Sequence, residues 1–201
     1  VRLYGYYYYR QVEMVDAAVG RVYDAWRSSR FAENGLFIFA SDHGDMLGAH
    51  NHLTKAIPYE PACHVPLVLV GKGIAKARRD TNHFVTSVDV AATILAAAGA
   101  KRMPKMTIAR SLLPLCGDAP QDVPWRDHLV AECIIEGECR TIYFGKHKAI
   151  LYQDGKQKLY DLATDPHETN VLADDPESKP LLERARDLHN RYVDTIELHP
   201  R

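Results

Sequence analysis

Leu36-Phe37-Ile38-Phe39-Ala40-Ser41-Asp42-His43-Gly44-Asp45-Met46-Leu47-Gly48 runs from an unbroken apolar pentapeptide straight into a polar, glycine-bearing turn. A short continuous apolar run predicts a strand buried on both faces, and after a helix it predicts a parallel one. The helix is written just upstream. Val12, Val15, Val19, Val22 and Trp26 recur at spacings of 3, 4, 3 and 4, so they share one face, with Arg10, Glu13, Asp16 and Arg21 on the others. Residues 28–35 break that helix. Downstream, Val65-Pro66-Leu67-Val68-Leu69-Val70 is a second apolar strand, with the proline near its start, where a missing N–H is tolerated. An alanine-rich helix over 88–98 stops at Gly99. Strands alternating with helices predict an α/β layer architecture.

The pattern changes near Trp125. Segments 128–132, 140–144, 148–152 and 158–160 are short strand candidates. Gln153-Asp154-Gly155-Lys156 joins the last two through Asp-Gly, a hairpin signal. A polar loop over 161–175 leads to Leu181, Leu182, Ala185, Leu188 and Tyr192, which mark a final amphipathic helix. These features divide the chain into an α/β part over 1–125 and a small antiparallel sheet with one helix over 126–201.

Bulk properties narrow the function. The 201 residues are 46% hydrophobic, enough for a sizeable core. Lys plus Arg number 25 and Asp plus Glu 26, a net charge of -1, without the basic surplus of a nucleic-acid binder. No apolar run approaches the ~20 residues of a membrane span. Cys63, Cys116, Cys133 and Cys139 form no C-x-x-C pair, which argues against a structural zinc site and leaves the compartment open.

The chemistry concentrates in Ser41-Asp42-His43-Gly44-Asp45-Met46-Leu47-Gly48-Ala49-His50-Asn51-His52-Leu53-Thr54-Lys55. It begins at the carboxyl end of a strand, where open α/β sheets bind ligands. A carboxylate and an imidazole side by side there reach one cation as the chain turns, and Lys55 offers a point charge for an anionic oxygen. The plainer alternatives are a helix cap for Asp42 and surface positions for His50 and His52.

Several motifs in order carry a resemblance. Ser41-Asp42-His43-Gly44-Asp45-Met46-Leu47-Gly48 with His50, then Lys55, Tyr59-Glu60 and Val65-Pro66-Leu67-Val68, is similar to the sulfatase family of the alkaline phosphatase superfamily. Ser87-Val88-Asp89, Thr93-Ile94-Leu95 and Ala98-Gly99 resemble the family's aspartate-bearing helix, and Ser111-Leu112-Leu113-Pro114-Leu115 its next element. Leu159-Tyr160-Asp161-Leu162, Asp165-Pro166, Glu168 and Asn170-Val171-Leu172 resemble its C-terminal signature.

The resemblance implies a partial alkaline-phosphatase-like sandwich, a central sheet with helices on both faces, plus the small C-terminal sheet. It implies that Asp42 and His43 are metal ligands for a divalent cation, calcium in most sulfatases. Manganese is the alternative that a ligating His43 nitrogen leaves room for, since calcium prefers oxygen donors, and magnesium is a further one. Lys55 matches the lysine that contacts the sulfate, and His50 lies where it lines the pocket. The partner implied is a sulfated small molecule or sulfated glycan. Ala49, Asn51 and His52 depart from the family pattern, which puts pocket shape in question.

Sulfatases also use a formylglycine made from Cys or Ser in Cys/Ser-x-Pro-x-Arg. No such motif occurs in these residues, and neither does the first aspartate pair of the metal site. The expectation is therefore a C-terminal half, inactive alone, that pairs with a missing N-terminal half or self-associates. The alternatives are a phosphatase or phosphonate monoester hydrolase of the same superfamily, or a non-catalytic remnant.

Overall fold

The computed structural model describes residues 2–118, 122–133 and 138–197. Its elements are α1 (Arg2–Arg27), β1 (Leu36–Ala40), α2 (Glu60–Cys63), β2 (Leu67–Gly71), α3 (Val88–Ala97), α4 (Leu113–Cys116), β3 (His128–Cys133), β4 (Cys139–Phe144), β5 (His147–Tyr152), β6 (Gln157–Asp161) and α5 (Lys179–Glu197).

β1 and β2 share one sheet, but they are antiparallel: Leu36 lies opposite Gly71 and Ala40 opposite Leu67. The parallel expectation for 36–40 fails because the connection never carries the chain back along the strand. It stays at the carboxyl end of β1, where the Gly44 N–H donates to Ala62 O at 2.8 Å and the Met46 N–H to Thr54 O at 3.3 Å. The next strand therefore starts where the first one stopped. Nor is β1 fully buried; its first four residues are half-buried and Ala40 is exposed.

α1 begins well before the expected start near Tyr8, because no proline interrupts residues 2–9. Its C-terminal end packs on β1, with Phe37 stacking edge-on to Tyr23 at 5.2 Å and lying 5.6 Å from Trp26. None of its residues is buried, and Val12, Val15 and Val22 of the predicted apolar face are exposed.

The second sheet is an antiparallel meander in the order β3-β4-β5-β6. The Asp-Gly hairpin forms as expected. Gly155 takes a φ of 87°, Asp154 Oδ1 accepts the Lys156 N–H at 3.0 Å, and the Gly155 N–H donates to Tyr152 O. Alternate residues of this sheet feed two separate cores. Val130, Ile142, Phe144, Ala149 and Leu159 pack with Leu182, Ala185 and Leu188 of α5. Cys139, Ile150 and Tyr160 point the other way and pack with Met46, Ile57, Tyr59 and Ala62. The C-terminal sheet is thus covered by its own helix on one face and by the loop after β1 on the other.

Two buried ion pairs fasten this arrangement. Arg126 donates to both carboxylate oxygens of the fully buried Asp89, at 2.5 and 2.7 Å, and to Ile108 O and Phe84 O. Asp89 also accepts the N–H groups of Thr86 and Arg110. The second pair centres on Lys148 of β5, whose side chain has no exposed surface. Its ammonium lies 2.6 Å from Glu168 Oε1 and 3.0 Å from Glu60 Oε1. Glu60 also accepts from Tyr143 Oη at 2.8 Å, and its N–H donates to Glu168 Oε2 at 2.7 Å. Burial works against the charged form of Glu60. The His64 hydrogen bond, the Lys148 charge and the Lys148 and Tyr143 hydrogen bonds outweigh it, and the carboxyl falls from 4.5 to about 2.

Lys148→Ala leaves two carboxylates without their cation, and we expect it to lower unfolding free energy by about 3–5 kcal/mol in urea titration. The depressed Glu60 pKa contributes stability present above pH 4.5 and lost as pH falls through about 2. Glu60→Gln is therefore expected to be less stable at neutral pH and to show a flatter stability profile across that acid range.

Candidate functional site

Residues 41–55 leave the carboxyl end of β1 and fold back on themselves. Gly48 N–H donates to His52 O at 2.8 Å, and Ala49 N–H to Met46 O at 2.8 Å. Met46 is the buried plug of the loop, 1% exposed. Leu47, His50, Asn51 and Ala56 all take positive φ without being glycine. Such conformations cost about 1–3 kcal/mol each and persist only where surroundings enforce them. Gly44 is required for a different reason. Its own chain passes so close to α2 that an added Cβ would stand 2.0 Å from Pro61 O.

Asp42 and His43 are brought together. Asp42 is solvent-facing, and its Oδ1 accepts the His43 N–H at 2.9 Å. The His43 ring is oriented by Nδ1, 2.8 Å from Gly44 O. A carbonyl oxygen only accepts, so Nδ1 carries a proton and Nε2 is the ring nitrogen turned toward Asp42. That Nε2 lies 3.6 Å from Asp42 Oδ2. Adjacent ligands on an ion with bonds of about 2.3–2.6 Å stand about 3.3–3.7 Å apart, so the two atoms are spaced as one ion requires. Ser41 Oγ donates to His43 O at 2.8 Å and stiffens the turn. The donor set fits half of a divalent-cation site. Among the described residues no group of three or more His, Cys, Asp or Glu is placed to hold an ion.

Lys55 is exposed. The Asp42 carboxyl is held below the usual range, first by the His43 N–H, then by the His43 ring, and in smaller part by the Lys55 charge. Lys55 therefore lies within electrostatic reach of Asp42. His50 is occupied elsewhere. Its ring stacks on Tyr59 at 3.8 Å with an 8° tilt, and its Nε2 lies 3.1 Å from His167 O.

The sequence offered Tyr59-Glu60 and Glu168 only as family matches, without roles. Here they connect the loop to the C-terminal sheet, and Lys148 between them carried no sequence signal beyond a strand position. Tyr59 Oη accepts from Lys158 Nζ at 2.6 Å. Asp45 is tied at both ends, to Leu47 N–H by Oδ1 at 3.1 Å and to Tyr4 Oη by Oδ2 at 2.9 Å.

The chain is similar in sequence and in fold to known proteins. The family model described as Sulfatase matches residues 6–100. Arylsulfatase K of Canis lupus familiaris is 31% identical over 187 residues, covering 85% of this chain and 34% of that protein. A solved 2-O GAG sulfatase superposes with a TM-score of 0.82 at 26% identity, over 92% of this chain and 41% of the other. The phosphonate monoester hydrolase of Agrobacterium radiobacter superposes with a TM-score of 0.77 at 25% identity, over 94% and 41%. The chain spans about a third of the length of the curated relatives it matches.

Gly44→Ala forces a Cβ against the Pro61 carbonyl, which is backbone and cannot swing aside. We expect a loss of about 1–3 kcal/mol in thermal or urea unfolding, with the carbonyl of residue 44 displaced from the His43 ring that it orients.

Proposed function

Because this chain belongs to the sulfatase family, we propose that it carries the metal-and-lysine part of a site that hydrolyses sulfate esters. The observation that carries the reading is the Asp42–His43 pair at the end of β1, with the His43 ring held through Nδ1 so that Nε2 faces Asp42 Oδ2 at 3.6 Å. Asp42 Oδ2 and His43 Nε2 would hold a divalent cation, calcium first and manganese or magnesium next, together with carboxylates from outside these residues. When bound, such an ion neutralises sulfate oxygens and the charge developing in the transition state. Lys55 Nζ donates to a sulfate oxygen and adds a second positive charge against the same developing charge. Gly44 O holds the His43 ring through Nδ1 and so leaves Nε2 as the nitrogen that would face the ion. His50 would border the substrate from outside the metal pair, since its ring face is pressed on Tyr59 and its Nε2 lies at His167 O. The nucleophile in this reading is a formylglycine supplied from outside these residues, which contain no Cys/Ser-x-Pro-x-Arg.

A sulfated glycan or sulfated small molecule is the substrate class we favour, and the likeness to a 2-O GAG sulfatase supports it. The phosphonate monoester hydrolase is a comparable structural match and supports a second reading, cleavage of a phosphonate monoester at the same metal pair. The arylsulfatase relative and the sulfatase model favour the sulfate. We also place a domain boundary near Trp125, between 1–125 and 126–201. The separation of the two sheets supports it, while the packing of Met46, Ile57 and Tyr59 on the second sheet marks where the parts join.

In full-length protein, Lys55→Ala is expected to lower turnover of an aryl sulfate by about 10²–10³ with bound metal and unfolding midpoint unchanged. Asp42→Ala should abolish the metal-dependent activity. Parent-like turnover in Lys55→Ala overturns the assignment of that lysine, and preferential turnover of a phosphonate monoester by the parent selects the second reading. The apolar face of α1 and the open edges of the β1–β2 sheet suggest further that the 201-residue chain alone pairs with the remaining catalytic part or with itself. Sedimentation is expected to show dimers or larger species, and a compact monomer counts against this.

A further inference from the structure

We propose that Cys133 and Cys139 close a reversible cross-strand disulfide, and that closure releases the backbone at Ala56, and with it Lys55, from the C-terminal sheet. The consequence for catalysis rests on the role given to Lys55 above; the disulfide and the release do not.

Cys133 ends β3 and Cys139 begins β4, and the register sets them directly opposite each other. Directly opposed residues of an antiparallel pair point to the same face with Cα atoms about 4.5–5.5 Å apart. A disulfide spans Cα separations of about 4.4–6.8 Å, so directly opposed positions lie within its reach. Both residues line an open cavity of about 440 Å³ together with Glu132, Arg140, Tyr152 and His189, which gives a small oxidant access. Cys139 is 3% exposed and Cys133 is half-buried, so the first attack falls to Cys133.

The coupling lies in one hydrogen bond. The Cys133 thiol donates to Ala56 O at 3.0 Å, across 77 residues of sequence. Ala56 is held at a φ of 75°, a conformation an alanine adopts only under constraint. A disulfide sulfur carries no hydrogen, so oxidation removes the donor to the Ala56 carbonyl and loosens the chain there, ahead of the packed Ile57. Lys55 is the adjacent residue.

The redox step balances with a disulfide oxidant such as glutathione disulfide. The Cys133 thiolate attacks one oxidant sulfur, forming a mixed disulfide and expelling one glutathione thiolate. The Cys139 thiolate then attacks the Cys133 sulfur, forming the protein disulfide and expelling the second. Two electrons pass to the oxidant, and the two thiol protons end on the released glutathione.

The test equilibrates the protein in glutathione buffers of graded ratio, traps thiols with N-ethylmaleimide and digests with a glutamyl endopeptidase, which cuts between the two cysteines. The expected product is a pair of peptides joined through Cys133 and Cys139, lost on adding dithiothreitol. Alkylation of both cysteines at all ratios, or pairing of either with Cys63, overturns the proposal. Release is read by limited trypsin cleavage after Lys55, expected to quicken about three- to tenfold on oxidation. Cys133→Ser keeps a donor and cannot oxidise, so its cleavage should stay slow in every buffer. Cys133→Ala loses the donor and should be cleaved fast in every buffer. A Cys133→Ala rate equal to that of the reduced parent overturns the coupling whatever the activity. Aryl sulfate turnover that falls and recovers with the redox buffer extends the coupling to catalysis. A reduced full-length parent without turnover strikes the sulfatase reading alone, because mapping and cleavage rate still decide the disulfide.

Discussion

The ammonium of Lys148 lies in the interior with no exposed surface, and it lies there because two carboxylates from distant parts of the chain, Glu60 and Glu168, meet it. Removing a cation from water costs several kcal/mol, and attraction offsets that only where partners are close and hydrogen-bonded. The cluster meets the condition by recruiting Tyr143 and the Glu60 N–H. Three stretches far apart in sequence therefore share one fixed point: α2, the β4–β5 hairpin and the loop after β6. Position passes along from there. Glu60 opens α2, α2 offers Ala62 O to the Gly44 N–H, and Gly44 O orients His43. The candidate ligand pair is thereby referred to a sheet nearly a hundred residues downstream.

The loop between β1 and α2 shows the same dependence. Strained backbone at His50 and Ala56 is matched by a specific outside contact in each case. Tyr59 and His167 take the His50 ring, and Cys133 takes the Ala56 carbonyl. Tyr4 of α1 ties down Asp45. The loop presents Asp42 and Lys55 to solvent while its other side is packed as core, with Met46, Ile57 and Tyr59 buried. A site on such a loop is as precise as the sheet beneath it.

Much of the fold was legible because its signals are local. An apolar pentapeptide, an Asp-Gly turn and an apolar stripe at helical spacing each reflect backbone physics acting within about ten residues. β1, the β5–β6 hairpin and α5 follow from them. Strand direction was not legible. Whether β2 runs with or against β1 depends on the path of residues 41–66, and that path is set by hydrogen bonds to α2. The stripe on α1 finds only a partial partner: Trp26 packs on Phe37, while Val12, Val15 and Val22 stay exposed.

The site divides along the same line. Sequence alone determined that Asp42 and His43 stand together at the end of a strand, since adjacent residues cannot be far apart, and motif order placed Lys55 among them. Tertiary structure decided the rest: the orientation of the His43 ring, the engagement of His50 with Tyr59 rather than with Asp42, and the burial of Lys148. Residue type and spacing encode what a side chain can do. Where it points, and whether its charge is matched, depends on groups that only the folded chain brings within hydrogen-bonding distance.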